Sequence, residues 1–489
     1  MINALNEATS SIYDDNGRRI ASIDNLDRTT KYEYDIAGRL TRTILPDAGA
    51  DDGNDANNLT VDYGYDKVGR KIAETDPANR TTRFVYDAES RLIAVVLPNP
   101  TTGDNPVGIA DALGRGEYPG STIASSGVLV TRYAYDEQGN KTRQIDALNR
   151  TTAWNYDRMG RVTRRTLPLG QFERFGYDAL GRLDWKLDFN SQLTGFVYDT
   201  ANRLTSTRFA DGTELTLTLD EKDRPRTLTY GGLTETRRYD RRDRLDQVTW
   251  SDGQQIDYTY DKASNRTQVK TATRTIDFSF DALNRLKTVS EVASTALGQS
   301  GGPRVTTYGY DGVGNRDHIV HANGTRVDYR YDRMNRLTTL THRKGAAVLL
   351  ALGYALNPDG TRAAIAEQVQ QKDTQGQYVV DGNGQPVLDA TRTTSYQYDK
   401  TKRLIEEAVT AANADHQRTT SWAYDKVGNR LSQVHTVPGG PTVTASTTTT
   451  SYSYDANDRL LQESAASNGI TRLTSHGYDL NGSLIETTT

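Results

Sequence analysis

The segment Tyr156-Asp-Arg-Met-Gly-Arg161 returns 21 residues later as Tyr177-Asp-Ala-Leu-Gly-Arg182 and again as Tyr198-Asp-Thr-Ala-Asn-Arg203. The same pattern recurs outward from these copies to both ends of the 489-residue chain. The copies begin at Tyr13, Tyr34, Tyr65, Tyr86, Tyr135, Tyr156, Tyr177, Tyr198, Leu219, Tyr239, Tyr260, Phe280, Tyr310, Tyr331, Tyr354, Tyr398, Tyr424, Tyr454 and Tyr478. A short period sustained along a whole chain indicates a tandem array of one small unit.

Each copy predicts a tight turn. The fourth residue after the first one is Gly, Asn or Asp in fifteen of the eighteen copies of standard length, as in Gly38, Gly181 and Asn202. These residue types tolerate a positive φ. The Asp in second place can accept a backbone N–H, and an Arg such as Arg182 can pair with that Asp. We therefore interpret the repeated Asp and Arg as turn chemistry.

The residues before each turn predict a strand. Fourteen of the nineteen copies have a second aromatic two places before the first residue, as in Tyr32/Tyr34 and Trp154/Tyr156. Residues two apart lie on one face of a strand. A second turn signal falls midway, at Asp24–Thr30, Asp76–Thr82 and Asp146–Thr152. Each unit is thus predicted to hold two strands and two turns, which gives a β-meander of about 38 strands.

The composition favours a thin sheet over a packed globule. Only 35% of the residues are hydrophobic, yet the chain has 28 Tyr, which is too many aromatics for a disordered protein. A sheet this long must coil. We predict an all-β fold, a coiled single-layer antiparallel sheet that forms a hollow shell or an open spiral, with tyrosines stacked between repeats.

The domain organisation is predicted to be one continuous array over 1–489. Five stretches interrupt the period and are interpreted as loops or enlarged hairpins at the rim of the sheet, namely 47–59, 98–130, 291–303, 346–390 and 437–450. The fourth holds the Tyr354 copy, with a lengthened turn, and a probable hairpin around Asp381–Pro386.

No residue set predicts an active site or a metal site. The Asp and Arg recur in nearly every copy, whereas catalysis needs a single constellation. His318 and His321 lie three apart, which places them on opposite faces of a strand. The acidic run Asp47–Asp55 lacks the alternating ligands of a calcium-binding EF-hand. We therefore predict no catalytic, cofactor-binding or metal residues, no cofactor, and a protein that is not an enzyme.

Charge and hydropathy exclude several partners. The net charge is −4 with both signs interspersed, which argues against nucleic acid. The chain has no cysteine, no apolar run long enough to cross a membrane, and no signal-peptide pattern in its first ten residues.

The units resemble the RHS/YD repeats, on segments such as Tyr34-Asp-Ile-Ala-Gly-Arg-Leu40 and Tyr177-Asp-Ala-Leu-Gly-Arg-Leu183. This family includes bacterial Rhs polymorphic toxins, the C component of insecticidal Tc toxins, wall-associated proteins and teneurins. The resemblance implies a hollow β-shell around a C-terminal toxin polypeptide. The core segment that frees the toxin in relatives is rich in Asp-Pro, and here only Asp76-Pro77 occurs. We therefore expect a fragment without the core and toxin domains.

The leading hypothesis is a shell segment of a secreted bacterial Rhs-type toxin that encapsulates a C-terminal effector and serves interbacterial competition. Its expected partners are the toxin polypeptide and other shell-forming repeats, with self-association through open sheet edges. The alternative is a cell-surface adhesion or carbohydrate-binding protein, in which tyrosine stripes bind glycans. A polysaccharide lyase is the third hypothesis.

Overall fold

A computed structural model describes residues 2–46, 58–105, 107–293, 302–373, 375–382, 384 and 386–489. Within these ranges the chain forms 38 strands and two α-helices. The strands are β1 Ser10–Tyr13, β2 Arg19–Ile23, β3 Thr29–Tyr34, β4 Leu40–Ile44, β5 Thr60–Tyr65, β6 Lys71–Thr75, β7 Thr81–Tyr86, β8 Leu92–Leu97, β9 Leu129–Tyr135, β10 Lys141–Ile145, β11 Thr151–Tyr156, β12 Val162–Thr166, β13 Phe172–Tyr177, β14 Leu183–Leu187, β15 Leu193–Tyr198, β16 Leu204–Arg208, β17 Glu214–Leu219, β18 Pro225–Tyr230, β19 Leu233–Tyr239, β20 Leu245–Trp250, β21 Gln255–Tyr260, β22 Arg266–Thr271, β23 Arg274–Phe280, β24 Leu286–Ala293, β25 Arg304–Tyr310, β26 Arg316–Val320, β27 Thr325–Tyr331, β28 Leu337–Lys344, β29 Ala347–Leu356, β30 Arg362–Gln370, β31 Leu388–Tyr398, β32 Leu404–Ala411, β33 Arg418–Tyr424, β34 Arg430–Val437, β35 Ser446–Tyr454, β36 Leu460–Ser467, β37 Ile470–Tyr478 and β38 Leu484–Thr488. The helices are α1 Val107–Gly114 and α2 Gly120–Ser126, and a short 3₁₀ helix covers Ala414–His416.

The strands form one open antiparallel sheet in which each strand pairs with the next along the chain. The predicted all-β single-layer sheet is therefore confirmed. Two kinds of turn alternate, and each kind lies along its own edge. We call the edge formed by the Tyr-Asp turns the YD rim and the opposite edge, formed by the turns midway between them, the second-turn rim.

A β-bulge precedes each YD turn. In the hairpin of β13 and β14 the register shifts between Gly176 and Tyr177, so that Tyr177 pairs with Leu183 and Phe175 with Lys186. The same shift recurs in every YD hairpin, including the first and the last. Bulges bend the strand and increase its twist, which favours coiling of the sheet.

The two faces of the sheet differ in chemistry. One face, here called the aromatic face, carries the first residue of each copy and the aromatic two places before it, together with their cross-strand partners. The opposite, polar face carries the residues between them, such as Asn155, which pairs with Arg164, and Thr218, which pairs with Thr227.

Very little of the sheet is buried. Within the described part of the chain 17 hydrophobic residues are buried, and eight of these form one cluster. The cluster joins α1 and α2 to the polar face of β7–β9, where Val96 and Ile109 are 0% and 1% exposed. The interpretation of 98–130 as a loop is thus wrong, because Ile109, Ala112 and Leu113 have helical spacing and bury one side of α1.

The other predicted insertions differ in outcome. Residues 438–445 join β34 to β35 without a strand or helix of their own, and Asp415 accepts hydrogen bonds from the backbone N–H groups of Thr442 and Val443. About half of 346–390 belongs to β29, β30 and the start of β31, and a bridge between Val380 and Pro386 closes the predicted hairpin. Residues 47–57 and 294–301, including the acidic run Asp47–Asp55, lie outside the described residues.

The fifteenth copy begins at Leu356 and not at Tyr354. The bulge falls between Ala355 and Leu356, and Leu356 pairs with Arg362. The turn has standard length with Asn357 in place of Asp, since Asn357 N–H donates to Thr361 O and Gly360 N–H donates to Asn357 O. Tyr354 therefore occupies the aromatic position two places earlier, and the predicted long turn is wrong.

Candidate functional site: the repeat turns and the seam between windings

The YD turn is closed by its aspartate. In the copy that begins at Tyr177, Asp178 N–H donates to Arg182 O and Gly181 N–H donates to Asp178 O. The carboxylate Oδ1 of Asp178 accepts from the backbone N–H groups of Leu180 and Arg182, both at 2.9 Å. Its Oδ2 accepts from Arg182 Nε at 2.6 Å. One side chain thus satisfies two backbone donors and one cation, as the sequence predicts.

The fourth residue after the first has a positive φ in all nineteen copies. The value is 84° at Gly181 and 65° at Asn202, and Ser90, Ser264 and Lys402 adopt the same conformation. The turn is therefore kept even where the residue type is unfavourable for a left-handed backbone.

The arginine of one copy also holds the next copy. Arg244 pairs with Asp240 through Nε at 2.7 Å, donates from Nη1 to Asp261 O at 2.9 Å, and lies 4.5 Å from the ring centre of Tyr260. The Tyr260 hydroxyl donates to Leu245 O at 2.7 Å. The Tyr-Asp-Arg set is therefore a staple between neighbouring hairpins.

Asparagine replaces the arginine in four turns. Asn140, Asn265, Asn315 and Asn429 donate from Nδ2 to the turn aspartate at 2.9 to 3.0 Å. The amide closes the turn but supplies no cation for the next tyrosine.

The predicted stacking of tyrosines on one another is wrong. Within the described residues one ring pair is in contact, Phe209 and Tyr230, with ring centres 6.1 Å apart. The repeat tyrosines donate to backbone carbonyls, and where the preceding turn has an Arg its guanidinium occupies the space above the ring, as for Tyr177, Tyr198 and Tyr260.

The turn electrostatics favour charged aspartates and protonated tyrosines. Hydrogen bonds from the Arg224 and Arg244 side chains lower the pKa of Asp220 and Asp240 from 3.8 to about 2. Burial raises the pKa of Tyr177, so its hydroxyl stays protonated and donates to Val162 O at 2.9 Å.

A seam joins distant parts of the chain. Hydrogen bonds connect residues 279 to 308 positions apart in sequence. On one side are the second turns after β2, β6, β10, β12 and β14, and on the other are YD turns that follow β25, β27, β29, β35 and β37. The sheet therefore winds past its own beginning, with the second-turn rim of the first winding against the YD rim of the second.

Three arginines of the first winding hold this seam. Arg28 donates from Nη1 to Asn335 Oδ1 at 2.9 Å, and Arg150 pairs with Asp458 at 2.8 Å. Arg80 pairs with both Asp76 and Asp359, and Asp359 has a side chain only 3% exposed. Clefts of 540 and 580 Å³ lie along the seam, the first beside Arg28 and the second beside Arg150.

The sequence carried a signal for the seam that was not recognised. Its three best second-turn motifs, Asp24–Thr30, Asp76–Thr82 and Asp146–Thr152, are those that contain Arg28, Arg80 and Arg150. Each repeats the Asp-Arg closure of a YD turn, for example Arg28 Nε to Asp24 Oδ2 at 2.7 Å. Arg28 and Arg150 contact the second winding through Nη1, and Arg80 contacts it through the same Nη2 that pairs with Asp76.

His318 and His321, the close histidine pair in the sequence, lie on different elements of the structure. His318 lies on β26 and its Nδ1 contacts Asp317 Oδ2 at 2.7 Å, while His321 begins the next turn. Across the ranges that the structure describes, no group of three or more His, Cys, Asp or Glu side chains is arranged to hold a metal ion. None of the helices described has the length and apolar character needed to cross a membrane.

Family comparisons agree with the turn geometry. The model described as RHS Repeat matches residues 13–50, 65–102, 135–171 and 156–183, and the model described as Teneurin YD-shell matches residues 190–349. These matches fall on the stapled hairpins described above. The chain belongs to the RHS/YD-repeat family. A curated relative, the double-stranded DNA deaminase toxin A of Burkholderia cenocepacia (strain H111), is 27% identical over 158 residues.

Solved Tc toxin structures have the same fold as this RHS/YD-repeat chain. TcdB2-TccC3-Cdc42 matches 98% of the chain with a TM-score of 0.67 at 14% identity. TcdB2-TccC3 gives a TM-score of 0.62 over 98% of the chain, again at 14% identity. The Tc holotoxin pore of Photorhabdus luminescens gives 0.57 over 98%, also at 14% identity.

The chain spans only part of these proteins. The matches cover 27%, 28% and 26% of the three solved chains, and the match to the deaminase toxin covers 27% of this chain and 9% of the relative.

Proposed function

We propose that this chain is a shell segment of a secreted bacterial RHS-type toxin and that it encloses an effector polypeptide. The observation that carries the proposal is the seam. A single-layer sheet whose rims meet from one winding to the next forms a continuous wall, and a wall with few buried side chains leaves space beside it.

The comparisons support this role. Curated and solved relatives include a protein named as a toxin and assemblies named as Tc toxin components. The deaminase activity in the name of the curated relative is not proposed for this chain, since the match covers 9% of that protein.

The wall would protect a polypeptide from proteolysis. A protease-sensitive, cysteine-free polypeptide of about 60 residues, joined after Thr489, tests this. We expect limited proteolysis to cleave it at least about tenfold more slowly than when it is joined to an unrelated soluble protein, since cleavage requires exposure. Equal rates would contradict enclosure.

Loosening the seam should remove the protection. In the double variant Arg80→Ala/Arg150→Ala, Asp359 loses the Arg80 guanidinium and Asp458 loses that of Arg150. A buried carboxylate without its cation is costly, so the rims should separate. The matched control is Arg208→Ala, whose side chain is 66% exposed on the polar face. Protection that survives in the seam variant would contradict the role of the seam.

The last strand of the sheet, β38, offers a surface for pairing with a partner. Every residue of β38 is exposed, with Leu484 and Ile485 at 56% and 68%. An exposed strand edge favours pairing with another strand. We propose that this edge pairs with further shell-forming repeats or with a second copy, and sedimentation of the chain over a range of concentrations tests the second case.

A further inference from the structure

The sixth residue after the first residue of each copy, which begins the return strand, is either basic or apolar. The two kinds alternate in the early and the late copies, whereas the five copies between them have Val162, Leu183, Leu204, Pro225 and Leu245. The early copies have Arg19, Leu40, Lys71, Leu92 and Lys141 in order. The later copies have Arg266, Leu286, Arg316, Leu337, Arg362, Leu404, Arg430 and Leu460. Each of these two runs thus has a period of two units that the single repeat does not require. We call the seven basic residues the cation row.

The cation row lies on the aromatic face, between rings of adjacent hairpins. Lys141 Nζ is 5.6 Å from the ring centre of Tyr133 and 4.5 Å from that of Trp154. The Arg430 guanidinium is 5.8 Å from Trp422 and 5.7 Å from Tyr452. Because the rings are uncharged, these contacts orient the cation but do not neutralise it.

Six members of the row form no ion pair within the described residues. Only Lys71 has a carboxylate partner, Glu74 Oε2 at 2.6 Å. In contrast, Arg244 and the other turn arginines pair with aspartate at about this distance. Lys141 and Arg430 contact the neutral amides of Gln144 and Gln433. Positive charge on this face is therefore available to a partner.

The row is not needed to close the turns. In five of the seven copies the preceding position is Asn or Thr instead of Arg, for example Asn315 before Arg316 and Asn429 before Arg430. The four of these turns that have Asn close through its amide. In these copies the basic residue stands one position later, on the aromatic face instead of at the rim, and Arg266, Arg316 and Arg430 are exposed there.

We propose that the aromatic face binds an extended polypeptide with widely spaced carboxylates, which the cation row holds while the alternate leucines contact its apolar side chains. This inference rests on the proposed function and names the chemistry of the enclosed polypeptide. Within the run from Arg19 to Lys141 and within the run from Arg266 to Arg430, successive cations are four strands apart, about 19 Å at ~4.8 Å per strand. An extended chain covers that distance in about six residues at ~3.3 Å each.

Nucleic acid fits this surface less well. A single strand carries one phosphate per about 3.4 Å, so most phosphates would face leucine or aromatic rings. The aromatic face also carries carboxylates at Glu407 and Glu463, which would repel a dense polyanion.

Binding of labelled peptides to the full chain tests the proposal. The probes are unstructured peptides of about 30 residues, with Glu at about every sixth position among Leu, Ser and Ala. Two further peptides have Lys or Gln in place of Glu, a fourth has the same Glu residues clustered, and single-stranded oligothymidine is the fifth probe. We expect the spaced-Glu peptide to bind at least about tenfold more tightly than the others, measured by fluorescence anisotropy at low salt.

Variants separate charge from fold. The quadruple variant Arg266→Gln/Arg316→Gln/Arg362→Gln/Arg430→Gln should lose the preference for Glu, and the same four positions changed to Lys should keep it. The matched control changes Arg143, Arg174, Arg208 and Arg330 of the polar face to Gln and should bind as the unmodified chain does. Circular dichroism checks that each variant is folded, and the Lys variant decides the case if the Gln variant unfolds.

The outcomes are distinguishable. Equal binding of the Glu, Lys and Gln peptides supports enclosure of a polypeptide and overturns the cation row as its recognition surface. Binding of none of the peptides counts against the proposed function as well. Tighter binding of oligothymidine than of the spaced-Glu peptide overturns the proposal in favour of nucleic acid.

Discussion

Two parts of the same sheet are stabilised in different ways. Under α1 and α2, strands β7–β9 bury Val85, Ala94 and Val96 in a dry cluster with the helices. Strands β21–β23 follow the same repeat but contain no buried side chain. The Arg244–Tyr260 staple joins the hairpin of β21 and β22 to the preceding hairpin, and backbone pairing joins all three strands. The repeat therefore needs no conventional core, and a core forms only where an insertion covers a face.

The difference predicts where single substitutions cost most. In the patch that α1 and α2 cover, a few closely packed side chains supply much of the stability, so truncating one of them should lower the unfolding free energy strongly. In the uncovered sheet the stability is distributed over many turns, so each turn contributes a smaller share.

The largest effect is expected for Ile109→Ala in the covered patch. Ile109 is 1% exposed in the cluster, and its truncation should cost about 2–4 kcal/mol of unfolding free energy through lost transfer energy and a cavity. Urea unfolding and hydrogen exchange of α1 measure it. Leu180→Ala, at a side chain 70% exposed, is the control and should change little. Equal effects of the two substitutions would break the comparison.

Gly181→Val should cost about 1–3 kcal/mol in the uncovered sheet. A β-branched residue is strained at the φ of 84° that Gly181 adopts. Gly181→Asn is the control, because Asn202 adopts a φ of 65° at the same position of the next copy. Thermal unfolding of both variants measures the difference, and an unchanged valine variant would show that the turn tolerates another backbone conformation.

Tyr260→Phe should cost about 1 kcal/mol. The change removes the hydroxyl that donates to Leu245 O at 2.7 Å and leaves the ring in place. Tyr258→Phe is matched on the same strand, since the contact of Tyr258 is through its ring, 4.6 Å from Arg266. Denaturant unfolding should show that Tyr260→Phe is more destabilised than Tyr258→Phe. The reverse order would show that the Tyr260 hydroxyl does not contribute to the staple.

The smallest effect per site is expected from acid. The folded-state pKa of Asp240 is about 2, below the ordinary 3.8, so its contribution to stability is complete above about pH 4 and is lost as the pH falls toward 2. Asp240→Asn should therefore be less stable than the unmodified chain at pH 5, and this difference in stability should shrink as the pH falls toward 2. Unfolding midpoints at pH 5, 3 and 2 check this prediction, and a gap that is independent of pH would contradict the cause.

The sequence by itself determined the local structure. The spacing of Tyr, Asp, Gly and Arg predicts the turn, the aromatic alternation predicts the strand, and the period predicts 38 strands, because all of these interactions lie within one or two hairpins. The shifted fifteenth copy shows the limit of this reasoning. Tyr354 matches the motif by residue type, but the bulge and Asn357 place the turn two residues later.

Only the tertiary structure decided which residues are in contact between the two windings and which segments pack on the faces of the sheet. Arg80 and Asp359 are 279 positions apart, and their contact depends on the twist summed over all the strands between them. The packing of α1 and α2 on β7–β9 likewise depends on which face the insertion covers. Sequence patterns record the period of a strand or helix, whereas the pitch of a coil is a sum of small rotations that no single motif encodes.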